Sequence, residues 1–308
     1  MKKNFKSLTD LQAAFPDEDA CINHFRVLRW PEADKIACPW CGVIGAHYKL
    51  SNNTHKCSDC LKKFSVRHGT IFGDSKIPLR KWFVAIFLMT SHKKGISSCQ
   101  LARDIGVTQK TAWFMLHRVR NAAMTQEFNA PLRGTVEIDE AYVGPKPRFQ
   151  HANKRLPRQG NPTERGRKIV FGMTEKNGEL RLAHIENTHN ETLAPLILAN
   201  IQRGSRVHTD ESRNYFWMDT VYNRSLVAHT LGEYVRGDVT TNTIEGVFSH
   251  FKRAIVGTYH KASAKHLDRY LQMFAYRWNR RDMGEGERVN DLLRATKGRR
   301  IQYKDLIH

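Results

Sequence analysis

The sequence has no stretch of the ~20 apolar residues that a membrane-spanning helix requires. Its longest apolar run, residues 82–89, suits a buried helix at most. No apolar core follows Met1-Lys2-Lys3, so secretion is not expected, and the chain is expected in the cytosol or on the nucleoid of a bacterium. Acid is the other shortage. In 308 residues, 30 aspartates and glutamates face 50 lysines and arginines, a formal charge of +20, and the pI is near 9.9. Such an excess repels itself and draws polyanions. Basicity alone also fits a ribosome-associated or membrane-surface protein, so the motifs must decide. The 6 cysteines, in a cytosolic setting, argue for metal rather than disulfides. The length leaves room for two or three modules, each with its own core.

Residues 1–34 read as a helical lead, with a short amphipathic helix over 17–30 whose inner face carries Ala20, Cys21, His24, Phe25 and Leu28. Residues 35–72 hold Cys38-Pro-Trp-Cys41 and Cys57-Ser-Asp-Cys60, separated by residues 42–56. Each CxxC pair turns two thiolates inward, and two pairs complete a closed, four-thiolate zinc site of the structural kind. His47 and His55 read as solvated strand residues rather than replacement ligands. Apolar residues are too few here for an independent core, so the metal is expected to hold the module folded. Residues 73–128 read as a helix-turn-helix DNA-binding domain. An apolar helix opens at Pro78, and two more meet at Gly106, capped by Ser97 or Ser98 and by Thr108. Cys99 is expected on the packed side. The last helix buries Ala112, Met115, Leu116 and Val119, and Thr108, Gln109, Lys110, Thr111, Arg118 and Arg120 are left for DNA.

Residues 129–285 read as the catalytic domain, after a linker at 129–134. In residues 134–143, Val136 and Ile138 alternate with Glu137 and Asp139, the period of a strand. Glu140 points to the opposite face from Asp139. A charged, proline-rich stretch over 144–168 is expected to be a mobile loop beside the site. A hairpin follows, over 168–174 and 179–185, turning at Asn177-Gly178. Then come a helix over 191–201, a strand ending at Asp210, a short helix from Tyr215, a strand over 225–229, and a helix carrying Glu245. On that helix Ile244, Val247, Phe248, Phe251 and Ile255 form the buried stripe. Glu245 and Lys252 share another face about 10 Å apart along the axis, with Asn242 nearby. A closing helix over 260–281 buries Leu267, Tyr270, Leu271, Phe274 and Trp278, and turns Arg269, Arg277, Arg280 and Arg281 outward. The order β-β-β-α-β-α-β-α, with acids on the first and fourth strands and the last helix, describes an α/β, ribonuclease H-like mixed-sheet domain. Residues 286–308 read as a basic C-terminal tail.

With these stretches in hand, the chain resembles insertion-sequence transposases that join an N-terminal zinc ribbon to a DDE, integrase-like domain. The matching residues are 38–60, 94–98 through 115–120, Val136-Glu-Ile-Asp-Glu-Ala-Tyr-Val-Gly, Val207-His-Thr-Asp, Thr241-Asn-Thr-Ile-Glu-Gly through Phe251-Lys-Arg, Tyr259-His, Arg277-Trp-Asn-Arg and 298–306. The resemblance implies Asp139, in preference to Glu140, with Asp210 and Glu245 as the metal triad, and Lys252 as the basic residue beyond the glutamate. Asn242, Lys252 and Arg253 join the expected DNA contacts. It further implies two Mg²⁺ (or Mn²⁺) ions besides the Zn²⁺, and cleavage at terminal inverted repeats. The 3′-hydroxyls would then join to target DNA without a covalent protein intermediate. Partners would be double-stranded DNA, at both ends and target, and a second copy of the chain or more, with no membrane. Two rival readings remain: a transposase-derived DNA-binding regulator with an idle catalytic domain, and a ribonuclease H-type or junction nuclease.

Overall fold

The computed structural model describes residues 5–32, 34–124, 130–144, 167–228 and 235–307. The charged stretch expected over 144–168 therefore lies, except for its two ends, outside the described residues, as do the start of the linker at 129 and the end of the strand expected to reach 229. The chain forms two compact units, Met1–Thr125 with Asp282–His308, and Gln126–Arg281.

The first unit begins with α1 (Leu8–Ala14), opened by a capping box between Ser7 and Asp10, and α2 (Glu18–Arg29), capped by Asp17. Cys21, His24 and Phe25 on α2 are buried as the periodicity requires. Three short antiparallel strands follow, β1 (His47–Lys49), β2 (Thr54–Cys57) and β3 (Lys63–Ser65). His55 is not solvated as expected. It is buried, with its ring stacked on Phe64 at 5.3 Å and edge-on to Trp30 at 6.3 Å. Next come α3 (Leu79–Ser91), α4 (Ser98–Ile105) and α5 (Gln109–Ala122). Ser97 accepts from the Gln100 amide and Thr108 from the Thr111 amide, while Gly106 turns the chain at φ 60°, a conformation glycine adopts without a Cβ penalty. Cys99, expected to be packed, is exposed.

The second unit carries β4 (Thr135–Val143), β5 (Lys168–Glu175), β6 (Leu180–Ile185), α6 (Asn190–Asn200), β7 (Arg206–Thr209), a 3₁₀ helix (Arg213–Thr220) and β8 (Asn223–Leu226). A small hairpin, β9 (Val235–Arg236) and β10 (Val239–Thr240), which the sequence did not announce, leads into α7 (Asn242–Ala254). After a π turn (Ile255–Tyr259), α8 (Ala264–Asn279) closes the unit. The five-stranded sheet has the order β6-β5-β4-β7-β8. β4, β5 and β6 are antiparallel neighbours, whereas β4, β7 and β8 run parallel. One face carries Ala141, Val143, Val170 and Leu182 against Ile244, Phe248 and Leu271 of α7 and α8. On the other face Val136, Ile138 and Phe171 meet Leu193 and Ile197 of α6 and Tyr215 and Met218 of the 3₁₀ helix. Arg277 on α8, expected outside, is buried.

The stretch expected to be a tail belongs to the first unit. There α9 (Glu285–Arg294) lies along α3 and α2, and buried Asn290 meets His24 at 2.7 Å. Thr70 bridges Lys297, and α10 (Lys304–Ile307) ends the described chain. Apolar Val289, Leu292, Leu293 and Leu306 are buried within this stretch, and that burial holds it down despite its charge.

Candidate functional site

The four cysteines form the first candidate. Among the described residues they are the one group of three or more metal-ligating side chains whose donor atoms all lie within 4.8 Å of one another. Cys38 and Cys60 sulfurs are 3.7 Å apart, and those of Cys41 and Cys57 3.6 Å. Four thiolates at about 2.3 Å from a tetrahedral zinc are roughly 3.8 Å from each other, so the spacing fits zinc and is too long for a disulfide. In the knuckle the Trp40 amide reaches the Cys38 sulfur at 3.5 Å, and Gly42 turns at φ 81°. Four thiolates around one cation fit a structural Zn²⁺.

The second candidate stands on the sheet of the second unit. β4 and β7 are parallel neighbours, with Glu137 opposite His208 as the last pair in register. Asp139 lies two residues further along β4, and Asp210 two residues beyond His208, one past the end of β7. Residues two apart share a face, here the one covered by α7. Asp139 pairs with Gly172 on the other side. A Cβ at Gly172 would stand 2.7 Å from Ile244 and 2.9 Å from Phe248, so the missing side chain lets α7 lie close beside Asp139. Glu245, in the first turn of α7, is near enough for its charge to act on the Asp139 carboxyl.

The acids act on each other electrically. Burial, then the charges of Glu140, Asp210 and Glu245, push the Asp139 carboxyl up to about 8. Burial and then Asp210 push Glu140 up to about 7, although the Tyr215 hydroxyl donates to it. A divalent cation would reverse this penalty by supplying opposite charge. Each acid is also oriented. Asp139 accepts from the Glu140 amide at 2.7 Å, Asp210 from the Ser212 amide at 3.0 Å, and Glu245 from the Thr241 hydroxyl at 2.9 Å. The three are not as tightly gathered as the cysteines. An all-oxygen donor set suits Mg²⁺ or Mn²⁺. Lys252, Asn242 and Arg253 are exposed on α7.

Not every expected contact residue faces outward. Gln109 and Lys110 are exposed at the tip of α5. The Thr108 and Thr111 hydroxyls bond each other at 2.9 Å. Arg118 must be corrected: it is buried, donating to the carbonyls of Ile71 at 2.8 Å, Gly73 at 3.1 Å and Ile301 at 3.3 Å. Arg120 is buried as well. Helical spacing put Arg118 near an outer face, but residues 299–303 return to cover it. Tyr303 sits against Trp113, Phe114 and Lys110, and Asn121 donates to the Arg299 carbonyl.

Sequence reasoning also passed over Glu137 and His208, both fully buried. Glu137 accepts from the Thr243 amide and hydroxyl at 2.8 and 3.0 Å, and from the Ile244 amide at 3.0 Å. Burial raises its carboxyl above the usual range while these bonds pull it down. A glutamate alternating with Val136 and Ile138 reads as a solvated strand residue. The available signal was its place on the same face as Asp139.

The chain thus joins a mixed sheet bearing acids beneath one helix to a four-cysteine knuckle pair elsewhere in the sequence, and comparison with known proteins gives the class. Residues 131–279 match the ISXO2-like transposase domain, and residues 16–63 the transposase zinc-ribbon domain. A Halobacterium salinarum protein, described as an uncharacterized protein in transposable element ISH50, is 32% identical over 278 residues, 85% of this chain and 91% of that protein. The chain belongs to the ISXO2-like transposase family.

Proposed function

We propose that the chain is a metal-dependent DDE transposase that cuts the ends of its own element and joins them to new DNA. The mixed sheet of the second unit, ordered β6-β5-β4-β7-β8 with helices on both faces, supports a ribonuclease H-like fold. Asp139, Asp210 and Glu245 would hold two Mg²⁺ or Mn²⁺ ions, whose charge would activate the attacking oxygen and stabilise the leaving one. The observation that carries this reading is geometric: β4 and β7 run parallel, with Asp139 and Asp210 each two places beyond the last paired residues, Glu137 and His208, and the helix that carries Glu245 starts on hydrogen bonds to Glu137. The amide of Ser212 and the hydroxyl of Thr241 keep two of these acids aimed. Lys252, two helical turns beyond Glu245, neutralises a DNA phosphate, with Asn242 and Arg253 beside it. Attack by water at each end frees a 3′-hydroxyl, and that hydroxyl then attacks the target strand.

The zinc ribbon and the tip of α5, through Gln109 and Lys110, bind the terminal inverted repeats. Because two ends must be joined at once, the working form is a dimer or higher on DNA. Among the described residues no helix is long and apolar enough to cross a membrane. Action on chromosomal DNA puts the protein on the nucleoid, where binding weakens steeply with salt. The test is cleavage and joining of labelled end DNA in Mg²⁺ by wild type and Asp210→Asn. Loss of both reactions with retained DNA binding supports the reading. Equal residual activity in the two proteins leaves a DNA-binding regulator, and cutting of RNA–DNA hybrids or branched DNA without joining leaves a nuclease.

A further inference from the structure

The first turn of α7 is held in an uncommon way. Its N-cap residue, Thr241, offers no side-chain cap to the helix and instead donates its hydroxyl to Glu245. The orphan amides of a helix start must be satisfied somehow, and here the sheet does it. The Asn242 amide donates to the Thr240 hydroxyl at 3.0 Å. The Thr243 and Ile244 amides both donate to one oxygen of Glu137, at 2.8 and 3.0 Å, and the Thr243 hydroxyl donates to the other at 3.0 Å. A carboxylate at a helix N-terminus is favoured by its dipole as well as by the bonds. Next to Glu137 in the parallel ladder stands His208. Its Nδ1 lies 3.3 Å from both the amide nitrogen and the carbonyl oxygen of Thr240, the residue that leads into the helix.

The two strands that carry the aspartates thus each use the residue two places earlier, on the same face, to grip the start of the helix that carries the glutamate. We infer that Glu137 and His208 are positioning residues, a clasp that fixes Glu245 of α7 relative to Asp139 on β4 and Asp210 on β7. The inference rests on the metal-dependent reading above for its consequence, but the clasp itself is a matter of geometry. A buried glutamate is costly to keep in a strand, and three hydrogen bonds to one turn of a helix commit it to that turn. Outer partners of this kind set ligand orientation, and losing one costs roughly 10–100-fold in metal affinity or activity.

The test uses the full chain with Glu137→Gln, in which an amide NH₂ replaces one acceptor, and Thr243→Val, which removes only the hydroxyl bond. Two readouts are taken: hydrogen exchange at the Thr243 and Ile244 amides, and titration with Mn²⁺ alone. Glu137→Gln is expected to speed exchange in the first turn of α7 while β5 and β6 keep their protection. Half-saturating Mn²⁺ should rise about tenfold or more. Thr243→Val should move both readouts the same way by a smaller factor, and it decides the matter if Glu137→Gln fails to fold. His208→Phe, which keeps a ring and loses Nδ1, should also loosen the turn; unchanged exchange there removes His208 from the clasp. Exchange that accelerates evenly through the unit, or does not change at Thr243 and Ile244, overturns the inference. If Asp210→Asn leaves Mn²⁺ binding at its wild-type value, the metal reading falls instead, and the exchange data still judge the clasp.

Discussion

Gly172 offers the sharpest test of how α7 meets the sheet. It is the β5 partner of Asp139, and a Cβ built there stands 2.7 Å from Ile244 Cδ1, 2.9 Å from Phe248 Cζ and 3.1 Å from Leu182 Cδ2. Carbon atoms settle at about 3.5–4.0 Å, so Gly172→Ala asks two residues of α7 to withdraw by nearly 1 Å. The isoleucine tip can rotate away, but the Phe248 ring is stiff and buried. Overpacking of this kind costs about 1–3 kcal/mol, and replacing glycine within a strand returns roughly 0.5–1 kcal/mol. The net loss, up to about 2.5 kcal/mol, should lower the melting temperature of this unit by several degrees. If α7 itself moves, Glu245 moves with it, and a displacement near 1 Å at a reacting centre can cost on the order of 100-fold in rate. Thermal unfolding and end cleavage measure the two effects. Adding Phe248→Leu, which opens space for the new methyl, should recover part of both, since neighbours in contact couple. A Gly172→Ala protein as stable and active as wild type would refute the close approach of helix and sheet.

Three further outcomes follow from the geometry. Arg118→Met should destabilise the first unit by roughly 3 kcal/mol, because three carbonyls lose a buried cationic donor; a loss of DNA affinity with unchanged thermal stability would restore Arg118 to the DNA interface. For Asp139 and Glu140 the pKa values lie above their ordinary 3.8 and 4.5, at about 8 and about 7. The folded, metal-free protein therefore holds protons that the unfolded chain has released, and the stability these groups contribute, full below about pH 4, is lost as pH rises toward about 8. Melting curves across that range without Mg²⁺ should fall with pH, and saturating Mg²⁺ should flatten the slope; a flat metal-free profile would contradict the crowding. Removal of zinc with a strong chelator should unfold β1 to β3 and change the fluorescence of Trp30, whose ring packs on His55 and Phe64; an unchanged spectrum would mean the ribbon stands without its metal.

What the sequence made legible follows one rule: local patterns with a single physical solution could be read. The four thiols at CxxC spacing, the caps at Ser97 and Thr108, the turn at Asn177 with φ 64°, and the strands carrying Asp139 and Asp210 all fall where their patterns put them. Features that depend on a distant segment could not be read. Arg118 has an outward-looking place in its helix until Ile301 covers it, and the basic stretch from 286 gave no sign that Leu292 and Leu293 are core residues of the first unit. His55 was misplaced for the same reason, since one of its ring partners, Trp30, lies on the segment before the ribbon, while Cys99, expected to be packed, is exposed.

Glu137 is the instructive case, because the strand alternation that singled out Asp139 also contained it. Alternation assigns a face, and a glutamate on a face is ordinarily solvated. Its burial becomes reasonable only once α7 is laid across the sheet with its first-turn amides pointing down at β4. The same helix must reach over Gly172 to do so. A glycine and a buried acid on neighbouring strands are thus two requirements of one contact: the first makes room for the helix and the second holds its end. Asp139 lies between them, paired with Gly172 across the ladder and two residues beyond Glu137, so the strand that carries the first acid also sets the place of the third.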